Sequence, residues 1–423
     1  MTSILHRLSG IRRLMRTQGT KGVTTAVAYR LVNKISAYVD LAAAELPVRN
    51  EDLADSASLH PSVSGMARKS SLRIGWVCTP PAGGSGGHTT LFRMVEMAEE
   101  RGHECTLFLY DKNSDDVARH EEVIRRHWKN LKAEIRSATM GMEAMDAVVA
   151  SSWGTAHVVA TRAPETASKF YFIQDFEPYF YPRGALYALA EDTYRFGFTN
   201  IALGEMVASR LRIETGLGPD VVVPFAHDNV EYRLLPRDAA TPARSGIVYY
   251  AKRAVDRRGY LLAKLALEKF HDDHPEQEIH VFGDRLSSWS IPVTNHGSMS
   301  PRDLNVLYNR TIASLTFSFT NISLVAAEMM AAGNVPVLND HPFARADLYA
   351  PYAIWTKPNP SAIARALSAA VTNPDIEDRA RLLTASGGSG WNVTAEMVAK
   401  TIEDVCKGPA VHEFDHRMLE PHP

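Results

Sequence analysis

The chain has 423 residues, 45% hydrophobic and 22% charged, with a formal net charge of -2 and a pI near 6.8. That length exceeds one ordinary core and predicts two domains, while the composition is that of a globular protein and the charge balance excludes a generic nucleic-acid binder. Three cysteines, Cys78, Cys105 and Cys406, lack metal-ligand spacing and are too few for a disulfide framework, as expected of buried thiols in a reducing cytoplasm.

The first 39 residues hold seven Lys or Arg and no acid. Ile4, Leu8, Ile11 and Met15 recur at helical spacing, with Arg7, Arg12, Arg13 and Arg16 largely off that stripe. A basic amphipathic helix of this kind can lie on an anionic membrane surface; the plainer reading is an arm packed on the body with its charges solvated. Residues 47–70, rich in Pro, Ser and Ala, read as a linker. No run of apolar residues is long enough to span a bilayer, and no cleavable signal is apparent. The expected location is cytoplasmic, peripheral on the inner face of the plasma membrane if the arm binds there.

Leu72–Thr79 is a buried strand by pattern, followed by a glycine loop, Gly83–His88, and a helical pattern through Leu91, Met94, Val95 and Ala98. Strand, glycine loop and helix aim backbone N–H groups at an anion, although a tight turn alone would look the same. The spacing is not that of a dinucleotide fingerprint; Asp111 after the next strand does not by itself exclude a nicotinamide site. Ala144–Ala150 is a further strand that empties into Ser151, Ser152 and Trp153. Lys169–Tyr181 begins as a strand and ends in two carboxylates, Asp175 and Glu177, among aromatic residues that include Tyr179 and Tyr181. Aromatic faces and carboxylate oxygens suit sugars, and an aromatic interface with the loop's own helix is the alternative. Phe198–Leu203 and Asp220–Phe225 close this half.

Ser245–Tyr250 opens a second half, and Lys252, Arg253, Arg257 and Arg258 crowd the turn before a helix. Clustered cations call for an anion, and a diphosphate matches guanidinium geometry; a solvated surface cluster is the alternative. Glu278–Asp284 is a strand and glycine turn, Asn295–Ser300 a loop, Ala313–Ser318 a strand, and residues 322–332 a helix carrying Glu328 in an apolar setting. Such a carboxylate needs a partner, either ribose hydroxyls or a nearby Arg. Gly333–Leu338 returns as a strand. Trp391–Val405 reads as an amphipathic helix with Thr394 as its N-cap.

These pieces resemble the retaining glycosyltransferases of the GT-B fold, family 4, and most closely the bacterial rhamnosyltransferases that build S-layer and related surface glycans. The resemblance spans most of residues 72–405 and rests on Gly83–His88, Tyr171–Tyr179, Ala251–Gly259 and Glu328–Val337. It implies an α/β fold of two Rossmann-like domains facing across a nucleotide-sugar cleft: an arm and linker over 1–70, an acceptor domain over 71–240, a donor domain over 241–390 and a helix over 391–407 that crosses back. It implies that Lys252 or Arg253, with Arg257 or Arg258, neutralises the donor diphosphate and that Glu328 holds the ribose. Gly86 and Gly87 approach the phosphate or the acceptor, Asp284 with Asn295 and Gly297 lies near the base, and His88, Trp153, Tyr179 and Tyr181 face the acceptor. The family's first glutamate, eight positions before Glu328, is replaced by Thr320, so Ser318, Thr320 or Asn321 must supply those sugar contacts; Lys252 stands where the family has Arg.

The implied chemistry is transfer with retention from a nucleotide sugar, thymidine diphosphate rhamnose by resemblance, to a carbohydrate or lipid-linked glycan acceptor. No cofactor or metal is expected, because no Asp-x-Asp or ligand cluster is evident. Asp175 or Glu177 would orient or deprotonate the acceptor hydroxyl. A sugar-nucleotide epimerase and a non-catalytic partner subunit are the rival readings, the latter because of Thr320.

Overall fold

A computed structural model describes residues 45–59, 70–286, 289–321, 324–348, 351–385 and 390–408, together with Thr24, Val27 and Leu31. The chain divides by compactness after Arg49. In the first unit, Thr24, Val27 and Leu31 are helical and exposed; the rest of the arm proposed over residues 1–39 lies outside the described residues. No helix among the described residues is long and apolar enough to cross a membrane.

The second unit, Asn50–Pro423, contains two parallel sheets. The first is built from β1 (Arg73–Cys78), β2 (Glu104–Leu109), β3 (Glu134–Ser137), β4 (Ala147–Ala150), β5 (Ser168–Ile173), β6 (Thr199–Leu203) and β7 (Val221–Val223), in the order β3-β2-β1-β4-β5-β6-β7. The second is built from β8 (Ile247–Ala251), β9 (Ile279–Gly283), β10 (Thr294–Gly297), β11 (Ala313–Leu315), β12 (Val335–Asn339) and β13 (Ile354–Thr356), in the order β10-β9-β8-β11-β12-β13. Every pairing is parallel. Helices cover both faces, so the central strands are apolar throughout rather than alternating: in β1, Ile74, Trp76, Val77 and Cys78 are all buried. Gly75 is the exception for a reason, since a Cβ there would meet the Phe108 ring at 2.8 Å.

The strand order reverses between β1 and β4 in one sheet and between β8 and β11 in the other. In doubly wound sheets ligands bind outside the carboxyl ends at such switch points. The helices that leave them are α1 (Gly86–Glu100) after β1, α3 (Trp153–Arg162) after β4, α6 (Tyr260–Asp273) after β8 and α8 (Leu324–Ala331) after β11. The remaining helices are α2 (Ala118–His127), α4 (Ala185–Asp192), α5 (Glu205–Thr215), α7 (Pro301–Arg310), α9 (Pro342–Asp347), α10 (Pro360–Val371), α11 (Ile376–Ala385) and α12 (Trp391–Lys407).

Helix α12 belongs to the first core, although it follows the second sheet. Trp391, Ala395, Val398, Ile402 and Cys406 pack with residues of β1, β2 and α1. Glu403 fixes its register, accepting from Arg101 Nε at 2.7 Å and Nη2 at 2.9 Å. Thr394 is not the N-cap: the helix starts at Trp391, and the buried Thr394 hydroxyl donates to the Pro224 carbonyl at 2.7 Å. The first part of the expected linker is docked on the first half as well. Asp52 is buried there, accepting from Tyr110 Oη at 2.6 Å and from Arg162 Nε. The loop expected at Asn295–Ser300 contains edge strand β10 over its first three residues, paired with β9.

Candidate active site

The carboxyl ends of both switch points open into one cleft of about 630 Å³. From the first half, Gly83 through His88 form its floor. Ser85 Oγ lies 2.8 Å from His88 Nδ1, and His88 Nε2 lies 2.8 Å from the Thr79 carbonyl. A carbonyl only accepts, so the ring proton sits on Nε2 and Nδ1 accepts from the serine. Burial lowers the His88 pKa and keeps the ring neutral. Both ring nitrogens are therefore spent on holding the loop. Because Ser85 is committed to His88, its side chain does not cap α1. The first N–H groups of that helix, at Gly86 and Gly87, stand in the cleft lining, where the helix dipole favours an anion.

At the end of β4, Ser151 and Ser152 line the cleft, and Ser152 caps α3 reciprocally with Thr155. At the end of β5 come Asp175 and Glu177, both buried at 6% exposure. Glu177 Oε2 accepts from the Trp153 N–H and from Tyr171 Oη, the latter at 3.1 Å. Burial nonetheless raises its pKa to about 8, the neighbouring Asp175 charge adding to the rise and the two donors and Arg257 opposing it. That shift favours the protonated carboxyl near neutral pH, and since Oε2 accepts twice, Oε1 is the oxygen free to carry the proton. Asp175 is also raised by burial, against the pull of Arg257 and Arg258. Tyr194 supports this turn from beneath: its hydroxyl accepts from Glu177 N at 3.1 Å, and its ring stacks at 5.6 Å on both Tyr171 and Phe176.

The second half brings Lys252, Arg257 and Arg258 from the turn after β8. Gly259 ends that turn at φ 65°, and a Cβ there would press on Phe317 and Phe319 at 3.2 Å. Arg258 is half-buried and hydrogen-bonded through Nη1 to Ser318 Oγ at 2.8 Å and Asn321 Oδ1 at 3.4 Å, and desolvation lowers its pKa. Arg257 lies with its guanidinium 4.0 Å from the Phe180 ring centre and its Nε 3.7 Å from Asp175 Oδ2, beyond hydrogen-bond reach. Lys252 Nζ sits 5.6 Å over Tyr250. Three cations thus face two buried carboxyls, both raised in pKa, a surplus of positive charge beside the N-terminus of α1.

The cleft brings together Gly86, Gly87, His88, Asp175, Glu177, Lys252, Arg257, Arg258 and Asn321 of the residues predicted from sequence. Ser318 stands behind Arg258. Other predicted residues lie outside the cleft lining. Arg253 is exposed, and its N–H donates to Asp284 Oδ2 at 2.7 Å, so both residues close the turn after β8 on itself. Asn295 is paired in both directions with the Leu286 backbone at 2.8 and 3.1 Å, and Gly297 abuts Arg285. Trp153 is buried edge-on against Tyr181. Tyr179 donates to Glu214 Oε1 at 2.5 Å; with Tyr181 and Thr320 it lines a neighbouring groove. Glu328 faces Arg93, Asp228 and Tyr232; burial first, and then Asp228, lifts its pKa to about 7.

Sequence reasoning passed over Gln174, Phe180, Tyr250, Leu324 and Val325, all in the cleft wall. Gln174 and Phe180 flank the two carboxylates in the chain, and the strand-end position of Tyr250 was the signal for it. Nothing local announced Leu324, which reaches across from the second half to within 3.5 Å of where a Gly86 Cβ would stand.

Residues 111–206 match the family described as WsaF, N-terminal domain. Over 346 residues the chain is 30% identical to the O-antigen biosynthesis protein RfbC of Myxococcus xanthus, a match covering 77% of this chain and 26% of that protein. The chain thus spans about a quarter of that curated relative. Among solved structures, S. aureus TarM, in complex with fondaparinux, α-GlcNAc-glycerol and UDP, aligns with a TM-score of 0.58 at 9% identity, covering 80% of this chain and 100% of that one. HepE of Anabaena with UDP-glucose aligns at 0.52 and 14%, covering 79% and 97%. WaaG, a glycosyltransferase involved in lipopolysaccharide biosynthesis, aligns at 0.53 and 12%, covering 78% and 99%. The two facing doubly wound sheets are the GT-B fold.

Proposed function

We propose that this chain is a glycosyltransferase of surface-polysaccharide assembly that transfers a sugar from a nucleoside diphosphate to a carbohydrate acceptor with retention. One observation carries the reading: both switch points converge on a single cleft, where the uncapped N-terminus of α1 meets Lys252, Arg257 and Arg258. That is an anion site divided between two halves, as transfer from a diphosphate requires. The relative's role in O-antigen biosynthesis and the UDP-bound neighbours of the same fold support it. Thymidine diphosphate rhamnose is the donor we favour, on the resemblance of the Tyr171–Tyr179 string and the Glu328–Val337 motif.

In this reading the bond between the anomeric carbon and the β-phosphate oxygen breaks and its electron pair goes to that oxygen. Arg257 and Arg258 stabilise the charge that develops there, the task a divalent ion performs elsewhere. The acceptor oxygen bonds to the anomeric carbon on the same face, and its proton passes to the departing phosphate. Asp175 orients the acceptor hydroxyl by accepting from it, and Glu177, already protonated, donates to a sugar oxygen rather than serving as a base. Ser318 and Asn321, bonded to Arg258, stand where the missing glutamate's work would fall.

Titration calorimetry with thymidine and uridine diphosphates tests this reading. Wild type should bind, with thymidine preferred, and Arg257→Ala/Arg258→Ala should lose at least a hundredfold in affinity. No binding of either nucleotide to wild type would remove the transferase reading.

A further inference from the structure

A second cavity of about 860 Å³ adjoins the cleft and shares Phe180, Val255 and Arg257 with it. One wall is the Tyr179–Pro182 segment of the first half; the other is the outer face of α6 together with Phe319. Leu261 and Leu265, four residues apart on α6, are 63% and 42% exposed, and Phe319 is 39% exposed. Three large apolar side chains left in water side by side, opening into a substrate cleft, mark a binding surface rather than scattered exposure.

The chemistry of the walls selects the guest. A sugar buried here would bring several hydroxyls, each needing a partner. The α6 wall offers Leu261, Leu262 and Leu265, and the groove's charged residues, Asp256 and Arg257, stand in the turn that joins it to the cleft. A guest that is polar at the cleft end and aliphatic beyond matches this arrangement. We propose that the groove takes the hydrocarbon chain of the acceptor: the acceptor is an amphiphile whose sugar lies at Asp175 and Glu177 and whose acyl- or prenyl-type chain runs over Leu261, Leu265 and Phe319. This rests on the transferase reading for the identity of the cleft, but the groove's apolar character stands independently of which nucleotide binds.

The probe is n-octyl β-D-glucoside below its micelle-forming concentration, compared with methyl β-D-glucoside, each titrated into the full chain with saturating uridine diphosphate. The octyl compound should bind at least tenfold more tightly. In Leu261→Asp/Leu265→Asp that advantage should vanish while nucleotide affinity stays within twofold of wild type; Phe319→Ser, on the same wall, should act likewise. Equal binding of the two glucosides, or an octyl advantage that survives both variants, overturns the proposal. So does tight binding of maltohexaose that the leucine variant abolishes, which would make the groove a track for sugars. If uridine and thymidine diphosphates both fail to bind wild type while the octyl advantage holds, the donor reading falls and the apolar groove remains.

Discussion

Glu177 is the residue whose charge state departs furthest from what its type suggests. Burial pushes its carboxyl up to about 8, well above the ordinary carboxylate range, outweighing the donors at Trp153 and Tyr171. A group raised on folding binds its proton more tightly in the native state, so its contribution to stability is complete below the unfolded pKa and is lost as pH rises through about 8. Thermal melts across pH 6 to 9 should therefore show wild type losing stability toward the alkaline end, and Glu177→Gln should flatten that loss by fixing the neutral form. Parallel curves for the two proteins would mean that Glu177 is ionised throughout. On the transferase reading the same variant separates roles: a proton donor replaced by an amide keeps a measurable rate, whereas an ionised base so replaced loses about a hundredfold or more. Neither outcome was legible from the string of aromatic and acidic residues, which announces a site but not which of its carboxyls is charged.

At the level of elements, most strands could be read from their apolar runs, because a parallel sheet covered on both faces writes itself as uninterrupted hydrophobic segments. Edge strands β3 and β13 escaped, being short: β3 (Glu134–Ser137) alternates in burial, and β13 (Ile354–Thr356) has only Thr356 buried. Thr394 looked like a cap because threonine ahead of an apolar stripe usually is one; in fact a tertiary acceptor, the Pro224 carbonyl, takes its hydroxyl inside the helix. Glu328 shows the same limit. Its apolar surroundings demanded a partner, and those present are Arg93 on α1 and Tyr232 in the segment between the sheets, with Asp228 opposing its charge. Helix α12 supplies the element-scale prediction. Glu403 ties it to Arg101 and to His103, 3.0 Å away, and Arg101 pulls its pKa down to about 2. Glu403→Ala should destabilise the fold by about 1–3 kcal/mol, as the loss of a charge-assisted, partly buried acceptor does. A shift in the denaturation midpoint with an unchanged slope would report this.

For the whole molecule the question is what sets the angle between the halves. The second half reaches the first through α9, whose Asp347 accepts from the N–H groups of Glu205 and, at 2.8 Å, Met206. That carboxylate caps α5 in place of a residue from its own segment, where Gly204 stands at φ 88° with Asp347 Oδ2 2.6 Å from where a Cβ would be. No sequence window could show this cap, since its donor and acceptor are more than a hundred residues apart. The second tie is Asn321, whose Nδ2 donates to the Gln174 carbonyl at 3.3 Å. On the proposed reading the cleft admits a donor and an acceptor in turn and must change its width, and the cap on α5 bears on that change. Removing an N-cap costs about 1 kcal/mol, enough to shift an equilibrium between open and closed forms about fivefold when the two are near balance. Asp347→Ala should thus raise hydrogen exchange at residues 205–208 and enlarge the radius of gyration in X-ray scattering without nucleotide. Saturating nucleotide should restore the wild-type radius if diphosphate bridges the glycine loop and the Arg257–Arg258 turn. An unrestored radius would place the diphosphate on one half alone, and an unchanged one would show that the angle is held without help from α9.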